Sequence, residues 1–127
     1  MKTKQLKLYL RAYLPSVAWA AFIFILSNQS VLPGFDVSVL DFIFKKSAHM
    51  FVYAVLYWLL FRAYKITHPD QKISNAHYLW PLFLGLLYAI SDELHQSTIS
   101  GRYATTRDVG YDLLGMSSVL LHQQKLI

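Results

Sequence analysis

Cysteine is absent from all 127 residues. That excludes disulfide staples and thiolate metal sites, and leaves the compartment open. Charge is also scarce. Only 15% of residues are Asp, Glu, Lys or Arg, against about 25% in an ordinary water-soluble domain. Acids are the rarer sign, seven against twelve bases. Those bases are scattered through short segments and form no basic arm, so the net charge of +5 does not point to nucleic acid. No internal repeat or low-complexity run occurs. The first apolar stretch lacks a small-residue cleavage site of the A-x-A kind, which predicts a retained helix rather than a removed leader. The length fits one domain.

What fills the chain instead is apolar: 55% hydrophobic and 16% aromatic residues. The runs predict an all-α protein, a four-helix transmembrane bundle with spans at 8–27, 46–64, 78–96 and 106–122. Arg11 lies near the end of the first span, where its head can snorkel to the interface. Pro15 falls early in that helix and is a candidate kink. Ser27, Asn28 and Gln29 close it with polar groups, and Pro33-Gly34 is a turn. The segment 35–44 is too short to cross a bilayer. It reads either as a short interfacial piece between helices 1 and 2 or as an ordered loop. His68-Pro69-Asp70 marks the next turn, and Ser74 or Asn75 is placed to cap the third helix. Pro81 is expected in that helix's first turn, where proline is tolerated. Thr105 to Asp108 reads as a capped helix start, with Asp108 near the positive end of the dipole.

The orientation follows from the bases. Lys2, Lys4, Lys7, Arg11, Arg62, Lys65, Lys72 and Lys125 fall on one side of four spans; Lys45, Lys46, Arg102 and Arg107 fall on the other. The expected localisation is a multi-pass cell-membrane protein with both termini cytoplasmic. Every acid but Asp70 then belongs to the outer half. His68, His77 and His122 are expected at the cytoplasmic surface.

The stretch from Ser91 to Gly115 holds four of the seven acids, Asp92, Glu93, Asp108 and Asp112, with His95, Gln96, Arg102 and Arg107 beside them. Ionisable groups among apolar helices are costly, which makes them candidates for a site. Lys46, His49, Tyr53 and Tyr57 share one face of the second helix. The expected ligand-binding set is Lys46, His49, Tyr53, Asp92, Glu93, Gln96, Arg102, Asp108 and Asp112. Glu93, His95 and Asp92 are the candidate acid–base groups. Arg102 either pairs with one of the acids or clamps a lipid phosphate. Plainer readings stand beside these: Asp92 and Glu93 as a helix end at the water interface, Asp108 as a cap acid, and His49 as one interhelical hydrogen bond. Gly85 and Gly115 are read as points of close helix approach. The spacing matches no strong metal motif and no glycine-rich phosphate loop, so neither a metal nor a cofactor is expected.

The series Lys46-x-x-His49-x-x-x-Tyr53, then Ser91-Asp92-Glu93-Leu94-His95-Gln96, Gly101-Arg102, Asp108 and Gly115, resembles the VanZ-like family of small bacterial membrane proteins. The Ser27-Asn28-Gln29 ending is similar too, and the resemblance covers essentially the whole chain. The family takes its name from a protein linked to resistance to the glycopeptide antibiotic teicoplanin. The resemblance implies an integral membrane protein of the cell envelope and implies no established reaction. Three positions depart from the family pattern. Lys45 stands where Asp is frequent, which removes a local partner for Lys46. Ser100 stands where Pro commonly precedes the Gly-Arg pair. Asp112 stands where Asn is frequent, an acid that could balance the extra lysine.

Two functions follow as expectations. One is a non-enzymatic protein whose polar site binds a membrane lipid or lipid-linked envelope precursor, alone or with a membrane protein partner or a second copy. The other is a small membrane-embedded enzyme acting on an envelope lipid phosphate or glycan-lipid. A transporter is disfavoured, because four short helices leave little room for alternating access.

Overall fold

The computed structural model describes residues 2–28, 34, 38–99 and 105–126. The described residues form four helices and no strand: α1 Thr3–Ser27, α2 Ser38–Thr67, α3 Asn75–Gln96 and α4 Thr106–Gln123. The all-α, four-helix architecture is as the sequence predicts. By length and composition α1 alone, among the described residues, is long and apolar enough to cross a membrane.

Helix ends follow local chemistry. α1 runs through Pro15 and closes where Asn28 N–H donates to Phe24 O at 3.0 Å. α2 starts at Ser38 rather than Lys46, so residues 38–44 are its opening turns and not a separate interfacial piece. Asp41 in the first turn favours that start, because it complements the helix dipole and pairs with Lys45 one turn on at 2.9 Å. α2 ends at Thr67, just before His68-Pro69, since a residue preceding proline is disfavoured in helical conformation. α3 begins at the Ser74 cap, so Pro81 lies inside the helix and not in its first turn.

The side-chain pairings fix the topology. Trp19 Nε1 donates to Val52 O at 2.7 Å, and Tyr9 meets His68 edge-on, so α1 and α2 are antiparallel. Tyr53 meets Tyr88, and Phe61 stacks on Tyr78, so α2 and α3 are antiparallel. Lys46 faces Asp108 and His49 faces Asp112, so α4 runs parallel to α2. α2 is the hub and packs on each of the other three helices. The C-terminal ends of α1 and α3 therefore lie at the same end as the N-terminal parts of α2 and α4.

The two ends of the bundle differ in chemistry. The core of Ile23, Leu56, Tyr57, Phe61, Ala89 and Met116 is apolar and aromatic. Gly115 sits against the backbone of Met50, where any Cβ would collide with the carbonyl; this is what lets α2 and α4 approach. Gly85 meets the flexible end of Met116 instead. At the far end Tyr64 and His68 stack, and His77 meets Tyr64 edge-on. His77 is buried, at 1% exposure, which corrects its expected place on the surface. Its Nδ1 accepts the Ser74 N–H at 3.1 Å, so the imidazole serves as a helix cap. Burial, with the His68 and Lys65 charges behind it, holds that imidazole below the usual histidine range.

Large apolar side chains face outward on every helix, among them Leu14, Phe51, Leu87 and Leu114. Ser16, Ser27, Asp92, Glu93, Gln96, Asp108 and Asp112 face inward. This inverts the distribution of an ordinary soluble domain.

Candidate functional site: a buried polar network at one end of the bundle

The site is built on two registers. On α2, Lys46, His49 and Tyr53 lie at i, i+3 and i+7; on α4, Asp108 and Asp112 lie one turn apart. Because α2 and α4 run parallel, the two rows meet as a ladder. Lys46 Nζ donates to Asp108 Oδ1, and His49 Nδ1 lies 2.8 Å from Asp112 Oδ1. Below that rung Gly115 closes on Met50.

Asp92 of α3 completes the network from the other side. Tyr53 Oη donates to its Oδ2 at 2.9 Å, and Ser27 Oγ donates to its Oδ1. Gln96 Nε2 approaches the same Oδ2 at 3.4 Å and Ser27 Oγ at 3.3 Å. Asp92 thus ties α1, α2 and α3 together through neutral donors. Glu93 is engaged elsewhere. The N–H of Thr105, the residue that opens α4, donates to its Oε1 at 2.7 Å. An acid of α3 therefore caps the start of α4, where helix N–H groups lack partners.

Of the expected set, Lys46, His49, Tyr53, Asp92, Gln96, Asp108 and Asp112 come together, with Glu93 at the α4 start. Arg102 lies outside the described residues. His95 stands apart from these bonds: its ring stacks on Phe24 with centroids 4.8 Å apart, and its buried Nε2 has no partner among the described residues. Two expectations about charge are corrected. Lys45 is balanced by Asp41 on its own helix, and Asp112 pairs with His49, not with the extra lysine. Asp92 and Glu93 do not end a helix in water, since both are buried. Ser27 is the participant missing from the expected set. Its signal lies in the sequence, a hydroxyl opening the polar Ser-Asn-Gln close of an otherwise apolar helix.

Exposure sorts the groups by sign. The Asp108 and Asp112 side chains keep 7% and 1% of their surface, while those of Lys46 and His49 keep 22% and 17%. In each pair the acid is the more buried partner, and the ammonium or imidazole keeps the larger exposure. Asp112 Oδ2 is buried without a partner among the described residues. Among those residues no group of three or more His, Asp or Glu is arranged to hold a metal ion. The arrangement can therefore present positive charge to a ligand, hold it by charge-assisted hydrogen bonds, and exchange a proton through the imidazole.

A family model described as VanZ/LLP1 matches residues 6–121. The chain belongs to the VanZ/LLP1 family. Comparison with curated proteins and with solved structures finds no match. VanZ/LLP1 membership covers nearly the whole chain, including every residue of the polar network. It is consistent with a membrane protein linked to the envelope or to glycopeptide resistance. One helix able to span a bilayer agrees with that association.

Proposed function

We propose that this VanZ/LLP1 protein is a multi-pass membrane protein of the cell envelope that binds an anionic or lipid-linked envelope ligand at the polar end of its bundle. The transmembrane reading rests on the inverted surface. Apolar side chains point outward from all four helices while carboxylates and hydroxyls point inward, as expected where the solvent is hydrocarbon. α2, α3 and α4 fall short as spans by composition because they carry the network's polar and charged residues, Lys46, His49 and Tyr53 on α2, Asp92 and Gln96 on α3, and Asp108 and Asp112 on α4, which the bundle shelters. The bias of Lys and Arg places both termini in the cytoplasm and the polar end outward.

The observation that carries the ligand class is the sorting of exposure. A ligand arriving at the polar end meets the more exposed partners, Lys46 and His49, before the more buried acids. That face suits a phosphate or another anion of an envelope lipid or lipid-linked precursor. A membrane protein partner or a second copy could supply the same anion. Resistance to a glycopeptide such as teicoplanin would follow if the bound envelope ligand is one the antibiotic also needs.

The test is native mass spectrometry of the protein released from nanodiscs containing phosphatidylglycerol. The wild type is compared with Arg102→Ala and with the doubly neutral Lys46→Gln/Asp108→Asn, which removes the cation without stranding its acid. A retained anionic lipid that is lost in the double variant supports the reading. No retained anionic lipid in the wild type overturns it. The enzymatic alternative, action on an envelope lipid phosphate or glycan-lipid, draws on one specific feature, the His49–Asp112 pair.

A further inference from the structure

His49 is held at one nitrogen and, among the described residues, unbonded at the other. Its Nδ1 lies 2.8 Å from Asp112 Oδ1, and no hydrogen bond from the described residues engages its Nε2. The Asp112 side chain is almost wholly buried, while the imidazole keeps some exposure. With Asp112 ionised, Nδ1 carries the hydrogen and Nε2 is left as the site of proton gain and loss. A buried carboxylate orienting an imidazole that keeps some exposure is the arrangement that makes histidine an acid–base group. His95 and Glu93, the groups singled out from sequence, lack it: one has its free nitrogen buried, the other is engaged in capping α4.

We propose that His49 Nε2 is the proton-exchanging contact for the ligand, that Asp112 is its positioning residue, and that the ligand group is a phosphate monoester. This rests on the anionic-ligand reading above and names its chemistry. Lys46, one turn before His49, supplies a permanent charge to any phosphate. The imidazole adds a contact that distinguishes among them. A phosphate monoester has a second ionisation near pH 6, close to the ordinary imidazole value, so the two can share one proton. A diester has no ionisation in that range and gains nothing from the exchange. The groups that set the imidazole's charge are few. Asp108 and Asp112 face it from α4, Glu93 from α3, and Lys46 from its own helix. The described ionisable residues of α1 (Lys4, Lys7, Tyr9, Arg11 and Tyr13) and Lys2 before it all lie in or ahead of its N-terminal half, toward the other end of the bundle.

The monoester could belong to a lipid or be free phosphate, and the experiment separates them. Protein in neutral phosphatidylcholine nanodiscs is titrated with dioctanoyl phosphatidic acid, with dioctanoyl phosphatidylglycerol and with inorganic phosphate, across the imidazole range. The wild type should bind phosphatidic acid over phosphatidylglycerol by about tenfold, the worth of one hydrogen bond to a charged group. That preference should be greatest where the pair holds one proton and fall on either side: at high pH neither group has the proton, and at low pH the monoester carries a single charge like the diester. His49→Gln should weaken phosphatidic acid binding more than phosphatidylglycerol binding, and so lose most of the preference. Asp112→Asn should move that maximum to lower pH than in the wild type, because the counter-charge is gone. A purely structural role for Asp112 would weaken both lipids alike and leave the profile unmoved. Inorganic phosphate competing as well as phosphatidic acid would identify the free anion as the ligand; no competition would identify the lipid. Binding of both lipids without preference overturns the inference and spares the anionic-ligand reading. Binding of none of the three probes overturns both.

Discussion

The two ends of this bundle solve the same problem with different chemistry. Both must bury polar groups among apolar helices. At the aromatic end the donors are neutral and their acceptors are backbone carbonyls or one imidazole: Tyr57 Oη donates to Tyr78 O at 3.0 Å, Thr67 Oγ1 to Ala63 O at 3.0 Å, and Ser74 N–H to His77 Nδ1 at 3.1 Å. At the polar end the partners are ionisable side chains on separate helices. Lys46 meets Asp108, His49 meets Asp112, and Asp92 collects donors from three helices. The first solution uses no ion pair among the described residues, though the buried Ser16 Oγ partway along α1 has no partner among them. The second leaves, among the described residues, a buried oxygen of Asp112 without a partner and a nitrogen of His49 free. Buried ion pairs are poor stabilisers compared with apolar packing. Their concentration at one end, with groups to spare, marks that end as the working one.

The comparison breaks first, and hardest, at the α2–α4 ladder. Lys46→Met strands Asp108 as a buried charge. It should lower stability by about 3 kcal/mol, at the low end for a broken buried pair because Lys46 keeps some contact with water. Denaturant unfolding in micelles reads it. Lys46→Met/Asp108→Leu should recover most of the loss; a double variant as unstable as the single one would mean the pair is not what matters. Next come the glycines. Gly115→Ala drives a Cβ into the Met50 carbonyl, which cannot step aside, and should cost about 2 kcal/mol. Gly85→Ala meets only the end of Met116 and should cost less than about 1 kcal/mol. Equal losses would show that the two contacts are equally rigid.

Much of this arrangement can be read from residue spacing, and the limits are physical. The shared face of Lys46, His49 and Tyr53 follows from helical periodicity, and the polar character of the Ser91–Gly115 stretch from composition. Which acid meets which base does not follow. The partner of Lys46 depends on α4 running parallel to α2 and on how far Gly115 lets it approach, and both are tertiary facts. Lys45 shows the opposite case: its partner Asp41 is local and one turn away, yet it is hidden while residues 38–44 read as a separate piece. Glu93 reads as a candidate base because its type allows one. Only the fold reveals that its carboxylate is occupied by the opening of α4.

Two smaller effects sharpen the contrast. Tyr53→Phe removes a donor from the buried Asp92 carboxylate and should cost about 1.5 kcal/mol; Tyr57→Phe removes one from a backbone carbonyl and should cost about 0.5 kcal/mol. A double-mutant cycle with Asp92→Asn tests the first: its coupling to Tyr53 should be measurable, and its coupling to Tyr57 should vanish.

The smallest effect belongs to His77, at the aromatic end and one residue outside the proposed span at 78–96. Its ionisation lies lower in the folded protein than in the unfolded chain, where it is about 6.5. Above that value both states are neutral and its contribution is fully present. As pH falls through it, the unfolded chain takes up a proton that the folded protein refuses, so stability declines with acid. Protonation also puts a hydrogen on Nδ1 and removes the acceptor of the Ser74 N–H. The first turn of α3 should therefore open before the rest, seen as faster amide hydrogen exchange at Ser74 to Tyr78 below about pH 6.5 once intrinsic exchange is corrected. His77→Gln keeps an acceptor that does not titrate and should abolish that acid response. If the response persists in the variant, the α3 cap is not its source, and the neutral end of the bundle contains a titrating group other than the buried imidazole.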